Sequence, residues 1–233
     1  VNQKLEKIQR GSYRFYKLPT GKELPSVTTV LSILPKPKII LWAVMQTIKF
    51  LIGRGNLGQD AVSEGYVFHK KLLDLLAQEG TDIHNLVEDY LDKGKDSTND
   101  ALVRFKEFEK QKCYKSDAVE VQVWDEAQDK QTAGTLDLVG SCFNMPIVLD
   151  IKTSKKIRLS HKIQSCIYRD MYETRTGKTG YSSGVLLIPR NSKTNWELYI
   201  NSPQDELTYR KIFSLLTQLF QNLLQLKELE LTK

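Results

Sequence analysis

Asp137, closing Gly134-Thr135-Leu136-Asp137, and the pair Asp150 and Lys152 in Leu149-Asp150-Ile151-Lys152-Thr153 are the side chains in this sequence best spaced to do chemistry. Side chains alternate faces along a strand, so Asp150 and Lys152 point one way while Ile147, Leu149 and Ile151 point the other way, into a core. An acid and a lysine on such a strand need partners, because unpaired buried charge is costly. A hard divalent cation and a phosphate oxyanion would supply them. Mg2+ and Mn2+ favour oxygen ligands and assist phosphodiester hydrolysis. Asp137 and Asp150, on adjacent strands, can share one ion, and the Ile151 carbonyl offers a third oxygen from the same strand end. Lys152 then stands beside the ion, able to orient or deprotonate a water and to meet the phosphate. An Asp-x-Lys alone is more often a surface ion pair, so the weight falls on its surroundings.

Two further features and the order in which all of them occur add to it, and a basic cluster stands beside them. His84, in Gly80-Thr81-Asp82-Ile83-His84, sits at the edge of a helical stripe formed by Ile83, Val87 and Leu91, with Glu88 one turn later on the same side. Gln164 and Tyr168 form an i,i+4 pair that puts an amide and a phenol on one stripe, suited to phosphate or base contacts. Lys155, Lys156 and Arg158, followed by His161 and Lys162, form a basic cluster directly after the Asp-x-Lys strand. That cluster suits a DNA backbone, although a solvated charge run would read the same. A second histidine, His69, lacks the glycine lead-in of His84 and reads as structural or solvated.

The elements that must position these residues follow from periodicity. The first half is mostly helical. After a short strand at Tyr13-Arg14-Phe15-Tyr16 and a turn over 19–22, Ser26 is expected to cap a helix over 27–34. Helices follow over 39–51, 58–78 and 82–91, with a break at Gly80, and over 98–112, where Leu102, Phe105 and Phe108 recur at helical spacing. The period then changes to two. Val119, Val121 and Val123 alternate with Glu120 and Gln122, and further strands cover 132–140 and 146–152. A helix capped by Ser160 runs to about 172. Strands over 184–189 and 196–200 precede a long helix capped by Asp205, with Leu215, Leu219, Leu223 and Leu226 on one face. The expectation is a single α/β domain over 1–233, with a mostly helical lobe over 1–113 and a sheet-bearing core over 114–233.

The order His-helix, acidic strand, Asp-x-Lys strand, Gln-x-x-x-Tyr helix resembles the PD-(D/E)xK nuclease superfamily, within it the RecB-like exonuclease branch. Gly80-x-x-x-His84, Gly134-Thr-Leu-Asp137, Asp150-Ile-Lys152-Thr153-Ser154 and Gln164-x-x-x-Tyr168 carry the resemblance over about a third of the chain. Pro25-Ser26-Val27-Thr28-Thr29-Val30-Leu31, with Leu41-Trp42, looks like the mitochondrial genome maintenance exonuclease family and its phage and bacterial relatives. The resemblance implies a restriction-endonuclease-like core with a mixed five-stranded sheet flanked by helices. It implies a metal held by His84, Asp137, Asp150 and the Ile151 carbonyl, Lys152 as the catalytic lysine, and Gln164 and Tyr168 near the DNA. Glu120 falls where relatives often carry a strand glutamate. Leu136 replaces the signature proline, and Asp150 stands where glutamate is commoner. Iron–sulfur relatives use four clustered cysteines; Cys113, Cys142 and Cys166 are too few and too scattered, so no cluster is expected.

The reading is therefore a Mg2+- or Mn2+-dependent deoxyribonuclease acting on single strands or free ends, with Tyr168 or Trp42 available for stacking. A structure-specific endonuclease on the same core and a catalytically silent DNA-binding subunit are the alternatives. Composition agrees. With 40% hydrophobic and 27% charged residues the chain can bury a core, and a formal charge of +6 suits a polyanion. The longest apolar run, over 39–52, is interrupted by Gln46 and Lys49, so no membrane span is expected. Three cysteines without a pairing framework and no secretory pattern at the start point to a reducing, intracellular setting. That setting would be the cytoplasm of a bacterium or phage-infected cell, or a mitochondrion in a eukaryote.

Overall fold

The structure is a computed structural model that describes residues 4–35, 37–55, 59–127, 130–190 and 195–231. Its centre is a five-stranded mixed sheet in the order β4-β5-β6-β7-β8, built from β4 (Lys115–Asp125), β5 (Thr132–Cys142), β6 (Met145–Lys152), β7 (Ser182–Leu187) and β8 (Glu197–Ile200). The first three strands meander antiparallel. Helix α5 (Leu159–Thr176) then crosses over, so β7 runs parallel to β6, and β8 returns antiparallel. Such a parallel step requires a crossover of this length.

Two apolar layers cover the sheet. On one side α5 packs with α6 (Pro203–Leu231) and the short α1 (Val27–Leu31), burying Val27, Val30, Leu136, Val148, Ile163 and Phe213. On the other, α3 (Gln59–Lys93) and α4 (Asp100–Gln111) bury Ile83, Val87, Phe105 and Phe108 against Leu138, Leu149 and Ile151. The alternation expected along β6 is therefore present, with Val148 under α5 and Leu149 and Ile151 under α3 and α4. Helix α2 (Pro37–Arg54) pairs with the first half of α3.

Four expectations need correction. The N-terminus holds more than the one short strand expected at 13–16: that strand, β2 (Tyr13–Lys17), pairs with β1 (Glu6–Arg10) and β3 (Glu23–Pro25) in a separate three-stranded antiparallel sheet. Its strands are short, and the charged residues between the apolar ones hid their alternation. Tyr16 fixes this sheet to the larger one through its hydroxyl, 3.1 Å from Thr135 Oγ1. Second, α3 runs unbroken through Gly80, because the cost of one helical glycine, about 1 kcal/mol, is small beside the packing of both halves. Third, α5 begins at Leu159 and α6 at Pro203, ahead of the caps expected at Ser160 and Asp205; proline is well suited to a first helical turn. Fourth, Leu215, Leu219, Leu223 and Leu226 face outward, while Tyr209, Phe213 and Phe220 form the buried stripe of α6. Ser26 does cap α1, its Oγ accepting from Thr29 N at 3.0 Å.

Candidate metal centre

β4 and β5 do not keep one alternation from end to end. In β4, Ala118 and Val121 pack on the α5 side while Val119 packs on the α3 side. In β5, Leu136 and Val139 lie on the α5 side while Leu138 lies on the α3 side. Two residues in succession thus turn towards α3 on each strand, Val119 with Glu120 and Asp137 with Leu138. This is how bulges re-aim side chains. Glu120 carries the strain, with a φ of 49° in mid-strand, a region that costs a non-glycine residue energy and is sparsely used outside functional sites.

The ladder between β5 and β6 ends at the Leu138–Leu149 pair. Beyond it the Ile151 amide donates to Asp137 Oδ2 at 2.6 Å, a side-chain carboxylate replacing the missing backbone acceptor. The strands fork there, and the fork is where the candidate residues meet. His84 reaches it from α3, its Nδ1 3.4 Å from Asp137 Oδ1. One ligand atom each from His84, Glu120 and Asp137 lies within 4.8 Å of the others, close enough to hold one ion. Val87, Glu88, Val119, Leu138 and Ile151 complete the lining of the small cavity around them.

Asp150 does not join that triad. It approaches the fork from the α5 face, 1% exposed, with Lys152 Nζ 2.5 Å from Oδ2. The contact is a close ion pair, and beyond Lys152 neither Asp150 oxygen has a hydrogen-bond partner among the described residues. Buried carboxylate oxygens are seldom left so.

The charges around the fork are unbalanced. Burial pushes Asp150 up to about 6 despite Lys152, and Asp137 adds to the rise. Burial likewise pushes Glu120 up to about 7, again aided by Asp137. At Asp137 burial also opposes ionisation, but His84 and Lys152 outweigh it and hold the group below the usual carboxylate value. Burial works against the His84 imidazolium, yet Asp137 beside it raises the pKa. Glu120, Asp137 and Asp150, with Glu88 also on the cavity wall, are thus gathered around one imidazole and one ammonium. The donor set, one nitrogen and several hard oxygens, fits Mg2+ or Mn2+, with Asp150's oxygens at hand.

These shifts give a stability test. Glu120 and Asp150 hold their protons to higher pH in the folded than in the unfolded chain, so between about pH 4 and 7 the native state binds more protons and stability falls as pH rises. His84, also raised, acts in the same direction. Asp137, being lowered, matters only below its ordinary value of 3.8. The Tm of the metal-free protein should therefore drop between pH 5 and pH 8. Millimolar Mn2+ should restore it, most strongly at pH 8. A Tm that ignores Mn2+ at every pH would remove the case for an ion at the fork.

The remaining expected residues are placed differently from a DNA-facing stripe. Gln164 and Tyr168 are 7% and 3% exposed, and Gln164 Nε2 donates to the Tyr168 hydroxyl at 3.1 Å. The Tyr168 ring lies flush under β5, where a Cβ on Gly134 would run into it. This contact explains the glycine that opens Gly134-Thr135-Leu136-Asp137. Stacking of a base on Tyr168 is incompatible with that burial, so the pair supports the fork from beneath. Sequence alone gave no sign of it, because Ile163 and Ile167 one step round the helix are buried as well. Trp42, the other stacking candidate, is half-buried on α2. Lys155 and Lys156 are exposed in the turn between β6 and α5. His161 adds no charge to them: burial, with Lys152 and Arg158 nearby, lowers it to about 3, and its Nδ1 accepts from the Arg158 amide at 3.3 Å. Lys162 lies over the Tyr199 ring, 3.7 Å from its centroid. His69 is on α3, but its side chain falls outside the described residues.

Among the described residues no helix is long and apolar enough to cross a membrane. Neither a protein-family model nor a curated protein matches the chain. Among solved structures, the crystal structure of SSO0001 is similar over 84% of this chain and 75% of that one, at 18% identity and a TM-score of 0.37.

Proposed function

We propose that this chain is a metal-dependent DNA exonuclease with a PD-(D/E)xK-type, RecB-like core. The carrying observation is the Asp150 carboxylate, buried with Lys152 as its one partner among the described residues, beside the His84–Glu120–Asp137 cluster. A bound Mg2+ or Mn2+ would polarise the phosphoryl oxygens and lower the pKa of a water. His84, Asp137, Asp150 and the Ile151 carbonyl are the ligands we assign, with Glu120 near enough to contribute. Lys152, held by Asp150, orients the attacking water and offsets charge growing on the phosphoryl oxygens. Lys155 and Lys156 hold backbone phosphates on the approach. The basic composition suits that partner.

End-directed cleavage is the reading the surroundings favour. α3 covers the fork on one face, while α5 and the docked N-terminal sheet cover the other. A single strand entering by its end fits such a passage better than an intact duplex. Digestion of linear and closed circular single-stranded DNA of one sequence, with Mg2+ or Mn2+, tests this. Linear strands should shorten progressively while circles survive. Cut circles would make the protein an endonuclease on the same core. Two intact substrates, bound by a protein that takes up no metal, would make it a catalytically silent DNA-binding subunit.

A further inference from the structure

Arg190 lies outside every motif read from the sequence, yet its side chain ends at the rim of the fork. Its Nε donates to Thr153 Oγ1 at 3.1 Å, and Thr153 directly follows Lys152. Its Nη2 packs over Gly80 so closely that an added Cβ there would stand 3.1 Å from it. Gly80 is one helical turn before His84, on the same face of α3. The guanidinium therefore bridges the two elements that supply His84 and Lys152.

The backbone under Arg190 is fixed from both sides. The Ile188 amide donates to the Lys152 carbonyl at 2.8 Å, and the Pro189 carbonyl accepts from Arg104 Nη1 at 2.6 Å. Among the described residues no carboxylate pairs with Arg190 at salt-bridge distance; Glu79 acts on it only through its field. A positioned, half-buried guanidinium without a counter-ion is equipped to take an oxyanion on its free nitrogens, in the two-pronged geometry that suits phosphate.

We infer that Arg190 is a phosphate clamp. It holds a backbone phosphate of single-stranded DNA at the mouth of the fork, and Gly80 leaves room for it, since an added Cβ would already crowd the guanidinium at 3.1 Å and a larger side chain would displace it. The inference rests on the nuclease reading for the substrate but not for the contact, which needs only a phosphodiester strand.

The test is equilibrium binding of a fluorescein-labelled single-stranded oligonucleotide by fluorescence anisotropy, with Ca2+ replacing Mg2+ and salt varied. Arg190→Ala should weaken binding about tenfold and make the salt slope less steep by about 0.7, the share of one phosphate contact on a single strand. Arg190→Lys should recover part of the affinity, since a point charge replaces a fork. Gly80→Leu should weaken binding as Arg190→Ala does without lowering Tm, because leucine is the better helix former. Combining the two should cost no more than either alone. Wild-type affinity and slope in Arg190→Ala would overturn the clamp. If the strand binds as described but Mg2+ and Mn2+ never shorten it, the nuclease reading falls and the clamp stands. If the wild-type protein does not bind the oligonucleotide, both fall.

Discussion

On the proposed nuclease reading, Lys152→Ala should slow DNA hydrolysis by about a thousandfold, and it should also lower Tm by several degrees, because it leaves the buried Asp150 carboxylate without its ion-pair partner. Removing one donor that meets developing charge costs about 10²–10³ in rate, and Lys152 is the only ammonium the described structure holds against the fork carboxylates. Asp150→Asn should be as damaging by a different route. It keeps the side chain's shape but deletes the charge that a cation would require, so Mn2+ binding measured by calorimetry should be lost together with activity. In Asp150→Asn, stability should not follow activity. Burial raises Asp150 to about 6, which means that at pH 8 its ionised form is a cost to the metal-free fold. Asp150→Asn removes that cost, so its metal-free Tm at pH 8 should be no lower than wild type, and Mn2+ should no longer raise it. Function and stability pull apart in this way where a fold gathers like charges for a ligand. Hydrolysis surviving at the wild-type rate in either variant would end the assignment of these residues.

The strand order was legible because β5 and β6 bury apolar residues on both faces around a tight turn, and because β7 and β8 are separated from them by one amphipathic helix. The meeting of Asp137 with His84 was less legible. Strict alternation puts Leu136 and Leu138 on one face, whereas the structure sends them to opposite layers. What re-aims Asp137 is a paired irregularity with Glu120, whose positive φ no local sequence feature announces. Periodicity describes a strand's average geometry, and a site built on a bulge is a departure from it. Gln164 and Tyr168 failed for a related reason. An i,i+4 polar pair looks like a solvent-facing stripe, but α5 is covered on more than one side, and the amide and phenol satisfy each other inside. Arg190 was invisible because its importance comes from a glycine a hundred residues earlier. Of the N-terminal sheet only β2 was read, as the strand at 13–16; β1 and β3 escaped because strands of three to five residues with one apolar side chain or a proline carry too little alternation to read.

Glu206→Ala should cost the fold about 3–5 kcal/mol, the penalty of breaking a buried ion pair by deleting one partner. Glu206 is 6% exposed and sits on the first turns of α6. It accepts from Arg169 Nη2 at 2.6 Å, from Ser183 Oγ at 2.7 Å and from Arg210 Nη2 at 3.3 Å. One carboxylate thus ties α6 to α5 and to β7. Alanine would leave the buried Ser183 hydroxyl without this acceptor. It would also leave Arg169 leaning on Asp170, Glu173 and the Tyr181 carbonyl. For a chain of this size each kcal/mol moves Tm by about 2–4 °C, so the loss should be about 10 °C. Glu206→Gln, which keeps an acceptor for Ser183 but not the charge for Arg169 and Arg210, should fall between. Because α5 supports the fork through Tyr168 beneath Gly134, activity at 25 °C should survive in Glu206→Ala and disappear at a lower temperature than in wild type. A Tm within 2–3 °C of wild type would mean that packing of the Phe213 and Phe220 stripe, rather than this polar clamp, is what holds α6 in place.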